Sequence, residues 1–179
     1  MLPREGKALA IADGEGRNGV WLAEQGLDVL SIDFSPVALD KAQRLAASQG
    51  VTLRTLQVNL EDWCWNAEQF DVAIAVFIQF APPDLRNAIL AGIRQTLTPG
   101  GLLLLQGYRP EQMTYGTGGP PHAENMYTAE MLRAAFTEFE ILHLEEHDSV
   151  ISEGKGHAGM SALVDLVVRK PAKIKAKMR

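Results

Sequence analysis

Three glycines and one aspartate carry the most chemistry in this sequence. Gly14, Gly16 and Gly19 fall in the string GEGRNG, directly after the short apolar run at residues 8–12. Gly14 and Gly16 sit where a strand must turn sharply into a helix, a geometry that glycine reaches without steric cost. Asp33 closes the next apolar run, residues 27–32. A glycine-rich turn lets a ligand approach the backbone closely, and a carboxylate at the tip of the neighbouring strand can accept both hydroxyls of a ribose. The unit therefore predicts an adenosine-containing ligand before it predicts any reaction.

GEGRNG also satisfies the dinucleotide fingerprint with Gly14, Gly16 and Gly19, and Asp33 lies close to the roughly 20-residue offset of the ribose-binding acid. Taken alone, the string admits NAD or FAD. Other side chains could move protons: Tyr108, Tyr115, His122 and His157 fall in loops near the expected crevice mouth, and a histidine titrates close to neutral pH. Of these, Tyr115, His122 and His157 are the catalytic candidates, with His122 or His157 able to take the proton of a hydroxyl or thiol. His143 and His147 fall within a strand and read as structural, and no pair of histidines has metal-ligand spacing on one helix face, so no metal is predicted. Cys64 has no basic neighbour in sequence to activate it, and Trp63 and Trp65 beside it read as core or rim packing.

These residues need a scaffold, and the remaining pattern supplies one. Ser35 and Pro36 open a helix through Leu39, Ala42, Leu45 and Ala46 that Gly50 stops. Residues 52–58 form a third strand, and 70–77 (FDVAIAVF) are apolar enough for a strand buried on both faces of a parallel sheet. Pro82 and Pro83 precede a helix whose Leu85, Ala88, Ile89, Gly92, Ile93 and Leu97 share one face. Pro99, Gly100 and Gly101 break it before a fifth strand at 102–106. The loop at 108–127 is longer than compact domains normally use, which marks it as functional or disordered. Thr128 caps a short helix through Phe136. Residues 139–147 and 161–169 then read as an antiparallel hairpin joined by the glycine-rich segment 154–159.

With 179 residues, 46% hydrophobic and 22% charged, the chain fits one domain with a sizeable core. Its single cysteine excludes an internal disulfide, its first residues hold no apolar signal core, and no apolar run is long enough to span a bilayer. A cytoplasmic protein without membrane contact is the expectation. Residues 169–179 hold six of the 17 Lys and Arg, so residues 1–168 carry 11 basic against 22 acidic residues. An acidic body argues against binding nucleic acid through its phosphates. Residues 1–170 read as the domain and 171–179 as a basic, disordered tail.

Strands alternating with helices and a closing hairpin resemble the class I S-adenosylmethionine-dependent methyltransferases, in particular the tellurite-resistance-type small-molecule methyltransferases. The resemblance covers residues 9–171. It is carried by Gly14-Glu15-Gly16-Arg17-Asn18, Asp33-Phe34-Ser35, Asn59-Leu60-Glu61-Asp62, Phe70-Asp71, Leu97-Thr98-Pro99-Gly100-Gly101, Tyr115-Gly116-Thr117-Gly118-Gly119-Pro120, and Glu153-Gly154 with His157. It implies an α/β, Rossmann-like three-layer sandwich with a mostly parallel seven-stranded sheet in the order 3-2-1-4-5-7-6. The implied cofactor is S-adenosyl-L-methionine, with S-adenosyl-L-homocysteine as product. The resemblance places Asp13, Gly14, Glu15, Gly16, Arg17 and Asn18 along the methionine part, Asp33 at the ribose, and Phe34, followed by Ser35, against the adenine. Asn59 and Leu60, with Glu61, fall at the adenine edge, and Val76 and Phe77 flank the sulfonium. The acceptor is a small molecule: a thiol, a hydroxyl compound, or an oxyanion of tellurium or selenium. A monomer or a homodimer is expected.

The sequence departs from the family at three places. Ala10 and Ala12 stand where an acid is usual ahead of the first glycine, with Asp13 as the nearest substitute, and Asn59 stands where an acid often reads the adenine amino group. Only seven residues precede the first strand, so either the chain is truncated or its site is open. Two other readings compete: an NAD-binding oxidoreductase, which the closing hairpin and short length oppose, and a non-catalytic binding module that keeps the fold.

Overall fold

The computed structural model describes residues 2–152 and 158–173. Its strands are β1 (Lys7–Ile11), β2 (Asp28–Asp33), β3 (Arg54–Gln57), β4 (Phe70–Val76), β5 (Leu97–Tyr108), β6 (Glu140–Ser152) and β7 (Ala158–Arg169). Helices α1 (Arg17–Glu24), α2 (Pro36–Ser48), α3 (Pro83–Thr96), α4 (Gln112–Tyr115) and α5 (Ala129–Ala135) connect them, with one 3-10 turn at Ala123–Asn125. One sheet in the order β3-β2-β1-β4-β5-β7-β6 holds all seven strands. β1 to β5 run parallel, and β7 lies antiparallel to both β5 and β6. This is the expected mixed sheet and its expected order.

The string ALAI explains the three layers. Alternate residues of a strand point to opposite faces. Ala8 and Ala10 accordingly join Val20, Leu22, Ala42 and Ala46 under α1 and α2, while Leu9 and Ile11 join Ile89, Ile93, Leu132 and Phe136 under α3 and α5. Each fully buried Leu or Ile contributes about 1.5–3 kcal/mol. The alanines contribute less, and in exchange let α1 approach the sheet. A Cβ built on Gly19 would stand 3.4 Å from the Ala10 Cβ, and one on Gly16 would stand 2.5 Å from the Ala42 Cβ.

The structure differs from the sequence reading in the second half. β5 starts at Leu97 rather than at 102, because the TPGG segment forms a bulge and does not end the pairing. Phe70 pairs with Leu97, and pairing resumes at Val72 with Leu102. Gly100, at φ 85, turns the bulge, and the backbones of Gly100 and Gly101 exchange hydrogen bonds of 2.9 and 2.8 Å with Lys170. β6 and β7 are each longer than expected. β6 is the sheet edge and is exposed along most of its length, so its polar residues gave no period to read.

The segment 108–127 is ordered by its attachment to β7. Gln112 is buried; its Oε1 accepts from the Ala162 N–H at 2.8 Å and its Nε2 donates to Thr117 Oγ1 and the Gly118 carbonyl at 3.0 Å each. The Arg109 Nε donates to the Leu163 carbonyl at 3.0 Å. His157, with Glu153 and Gly154, lies outside the described residues, as does 174–179 of the basic tail. Among the described residues, no helix is long and apolar enough to cross a membrane.

Candidate active site

The turn after β1 is built on two carboxylates with different tasks. Asp33, at the end of β2, accepts from the Gly14 N–H at Oδ2 and from the Ser35 N–H at Oδ1, both at 2.8 Å. One side chain thereby fixes the glycine turn and the entry to α2, where Ser35 caps the helix by accepting from the Ala38 N–H at 3.2 Å. A carboxylate oxygen accepts more than one hydrogen bond, so both oxygens keep capacity for a ligand.

Asp13 faces the other way. Its carboxylate accepts from the Gly19 N–H at 3.1 Å and from the Ser31 hydroxyl at 3.0 Å. Ser31 is fully buried and pairs across the sheet with Ala10. The space opened by alanine at position 10 is therefore next to a carboxylate that arrives from three residues later. Asp13 supplies at the start of α1 the negative charge that Ala10 lacks. Burial pushes its carboxyl up from 3.8 to about 6, against hydrogen bonds from Ser31, Gly19 and Asn18 that pull it down.

Three cavities meet at one residue. The first, of about 560 Å³, is lined by Asp33, Phe34, Asn59, Leu60, Glu61 and Phe77, together with Phe80 and Leu85 from the start of α3. The second, of about 440 Å³, is lined by Asp13, Gly14, Glu15, Arg17, Asn18, Val76, Phe77 and Gln106. The third, of about 380 Å³, runs from Phe77 past Gln79, Phe80 and Tyr108 to His122 and Asn125. Phe77 follows β4 at φ 55, a left-handed conformation that side chains other than glycine seldom adopt. It is held there by its N–H bond to the Gln106 carbonyl at 2.9 Å and by stacking on Tyr108, with ring centroids 4.7 Å apart. Strain of this kind persists where the surroundings over-determine it, characteristically at ligand sites.

Nearly all the candidates from the sequence come together here. Gly16 and Ser35 stand behind the lining, Gly16 against α2 and Ser35 as the helix cap. Phe34 is 71% exposed at the rim of the first cavity. Asn59 turns its carbonyl oxygen onto the Glu61 N–H at 3.2 Å, and Glu15 holds Lys41 at 2.7 Å, which keeps its carboxyl below the usual range. His122 lines the third cavity, exposed and 3.8 Å from Glu124. Tyr115 does not join the cavities; its hydroxyl donates to Asp148 at 2.8 Å, beside the Arg109 that ties the loop to the hairpin. That carboxylate pushes the phenol up. Trp63 and Trp65 meet edge to face, with Gly92 against the Trp65 ring.

The sequence reading missed Phe80, Gln79, Asn125 and Gln106. Gln106 had a signal, as the one polar residue at the end of LLLLQ. Its Nε2 donates to Asp165 Oδ1 at 2.7 Å, and Asp165 Oδ2 meets His147 Nε2 at 3.0 Å. A polar chain thus runs from the exposed hairpin to the second cavity.

A fold with this strand order and a groove across the ends of β1, β2 and β4 has counterparts among solved structures. The chain superposes on a SAM-dependent methyltransferase from Methanosarcina mazei with a TM-score of 0.76 at 18% identity, over 96% of this chain and 95% of that one. It superposes on TehB from Haemophilus influenzae with a TM-score of 0.75 at 18% identity, over 93% of this chain and 58% of that one. In sequence it is similar to an uncharacterized methyltransferase from Synechocystis sp., 30% identical over 111 residues that make up 61% of this chain and 50% of that protein. The chain spans about a third to a half of the length of the curated relatives it matches. Residues 8–101, which run from β1 through the glycine turn and Asp33 to the bulge of β5, match the model of the methyltransferase domain family, and to that family the chain belongs.

Proposed function

We propose that this chain is a methyltransferase domain that uses S-adenosylmethionine to methylate a small molecule, with residues 1–170 as the catalytic unit. The carrying observation is the meeting of three cavities at Phe77. The first fits an adenosine: Asp33 offers carboxylate oxygens at a ribose, and Phe34, Asn59 and Leu60 surround a flat base. The second fits an amino acid with a cationic amine, since Asp13 and Glu15 bring negative charge to its lining. Val76 and Phe77 at the junction are neutral and apolar, which suits a sulfonium between the two halves.

When bound, S-adenosylmethionine supplies a methyl group already activated by the positive sulfur. The residues at the junction then need only align the acceptor and exclude water, an orientation effect worth about 7–11 kcal/mol at its limit. No side chain is required as a nucleophile. The third cavity, partly open to solvent and lined by Phe77, Phe80 and Tyr108, supports a small-molecule acceptor of thiol, hydroxyl or oxyanion type. A cytoplasmic monomer or homodimer that does not bind nucleic acid completes the reading. An NAD-binding oxidoreductase is disfavoured, because antiparallel β7 occupies the sheet position where a second dinucleotide-binding half would continue.

The test is calorimetric titration with S-adenosylhomocysteine and, separately, NAD. S-adenosylhomocysteine alone should bind, and Asp33→Asn, which keeps one acceptor for the turn, should weaken it about tenfold. Binding of NAD alone would overturn the proposal, and binding of neither would identify a non-catalytic module.

A further inference from the structure

The third cavity narrows the acceptor class, and the inference rests on the methyltransferase reading above. Its walls are the stacked faces of Phe77 and Tyr108, the ring of Phe80, and Pro120 and Pro121 of the loop. Flat rings and prolines present broad apolar surfaces that favour an aromatic partner over a small hydrated ion. Among the described residues, no carboxylate, ammonium or guanidinium lines it. Arg86 does not line it: its Nη1 donates to the carbonyls of Glu124 and Met126, on either side of Asn125, and its Nε is buried without a partner among the described residues.

The polar groups are equally selective. Gln79 is 3% exposed, and its amide is taken up by the backbone of Tyr108, accepting from the N–H at 2.6 Å and donating to the carbonyl at 2.7 Å. Asn125 is 7% exposed and lines the cavity, and its carboxamide nitrogen and oxygen are not among the buried polar atoms that lack a partner. A carboxamide that still reaches the cavity can exchange water for a ligand there. Since Arg86 clamps the backbone on both sides of Asn125 and the residue lines the cavity, its carboxamide is held ready for a ligand. His122 stands at the exposed mouth.

We propose that this cavity binds a neutral, two-ring aromatic hydroxyl compound whose polar edge hydrogen-bonds the Asn125 carboxamide and whose reacting hydroxyl points to Phe77. The size agrees, since a cavity of about 150 Å³ encloses one benzene ring and this one measures about 380 Å³. In the transfer, the sulfur–methyl bond breaks with its electron pair staying on sulfur as a thioether. The acceptor oxygen forms the new bond to the methyl carbon, and the hydroxyl proton leaves to solvent water at the junction beside Phe77, where the three partly open cavities meet. A tellurium or selenium oxyanion would exchange its hydration shell for apolar walls without one opposing charge, so the cavity disfavours it.

The test compares a hydroxynaphthalene and a hydroxyquinoline with naphthoate and tellurite, by calorimetric binding in the presence and absence of S-adenosylhomocysteine and by transfer of a labelled methyl group. The neutral compounds should bind at least tenfold more tightly than naphthoate and accept the methyl group, with tellurite inert. Asn125→Ala and Asn125→Leu should each raise the acceptor KM about tenfold with kcat changed less than twofold. S-adenosylhomocysteine should bind both variants as it binds the wild type, which reports that they are folded. Preferential binding or methylation of tellurite or naphthoate, or no binding of either neutral compound, would overturn this inference and leave the methyltransferase reading standing. If S-adenosylhomocysteine does not bind the wild type, the methyltransferase reading falls, and the inference falls with it.

Discussion

Asp13→Asn should stabilise this protein at neutral pH and cease to do so in mild acid. Burial raises the Asp13 carboxyl from 3.8 to about 6. Each pH unit between the two is worth about 1.4 kcal/mol, so the ionised form costs the folded state about 3 kcal/mol relative to the protonated one. The direction follows from the raised value: the contribution is fully present below 3.8 and is lost as pH rises through about 6. Asparagine carries no charge and retains one oxygen for the Gly19 N–H and the Ser31 hydroxyl. Losing the second oxygen forfeits about 1 kcal/mol of hydrogen bonding. At about pH 7.5 the variant should therefore exceed the wild type by about 2 kcal/mol, and near pH 4 it should fall about 1 kcal/mol below. Urea unfolding at a series of pH values, with the midpoint converted through a common slope, measures the difference. Two parallel curves, separated by the same amount at every pH, would refute the claim that burial of a charge governs this position.

Gly19→Ala sets helix propensity against space. Alanine favours a helix interior by about 1 kcal/mol, but its Cβ would stand 2.4 Å from Asp13 Oδ2 and 3.3 Å from Leu53 Cδ1. Overpacking at about 1–3 kcal/mol should win, and urea unfolding that finds a gain in stability would show that the turn yields freely. Gln106→Leu should weaken S-adenosylhomocysteine about fivefold, the equivalent of one net hydrogen bond. His147→Gln, two links away along Asp165, should weaken it less than twofold; equal losses by calorimetry would mean that Gln106 acts only through the hairpin.

What the sequence disclosed depended on whether neighbouring residues carried the information. β1, β2 and β4 are short apolar runs between glycines and acids, buried on both faces, and their pattern is local. Asp33 and the glycine turn are legible for the same reason: the turn itself constrains the residue type, since Asp33 accepts from the Gly14 and Ser35 N–H groups, and the proposed ribose contact constrains it at the same place. β5 begins five residues before its expected start, because TPGG ends a helix in most contexts and only pairing with Phe70 and Lys170 keeps the strand going through it. The polar edge strand β6 had no buried face to impose alternation. Asn125 and Gln79 acquire their meaning from Arg86 and Tyr108, 39 and 29 residues away, and no local pattern marks them. Asp13 was visible as a substitute for the acid missing at position 10, but its partner Ser31 lies on another strand.

The placement of β7 between β5 and β6 has a kinetic side. β6 pairs only with β7 and has no bonded place in the sheet until that later strand arrives, and Leu102 must find Arg169 across 67 residues. Pairings of such long sequence separation close slowly, and β1 reaches β4 across a comparable 64 residues, so neither half of the sheet gains a head start from chain separation. The order that does follow is local to the hairpin: β6 takes its place after β7, and the segment 108–127 settles only when Ala162 and Leu163 are in place to receive Gln112 and Arg109. Pulse-labelled hydrogen exchange would see this as protection at Gln112 no earlier than at the amides of β7.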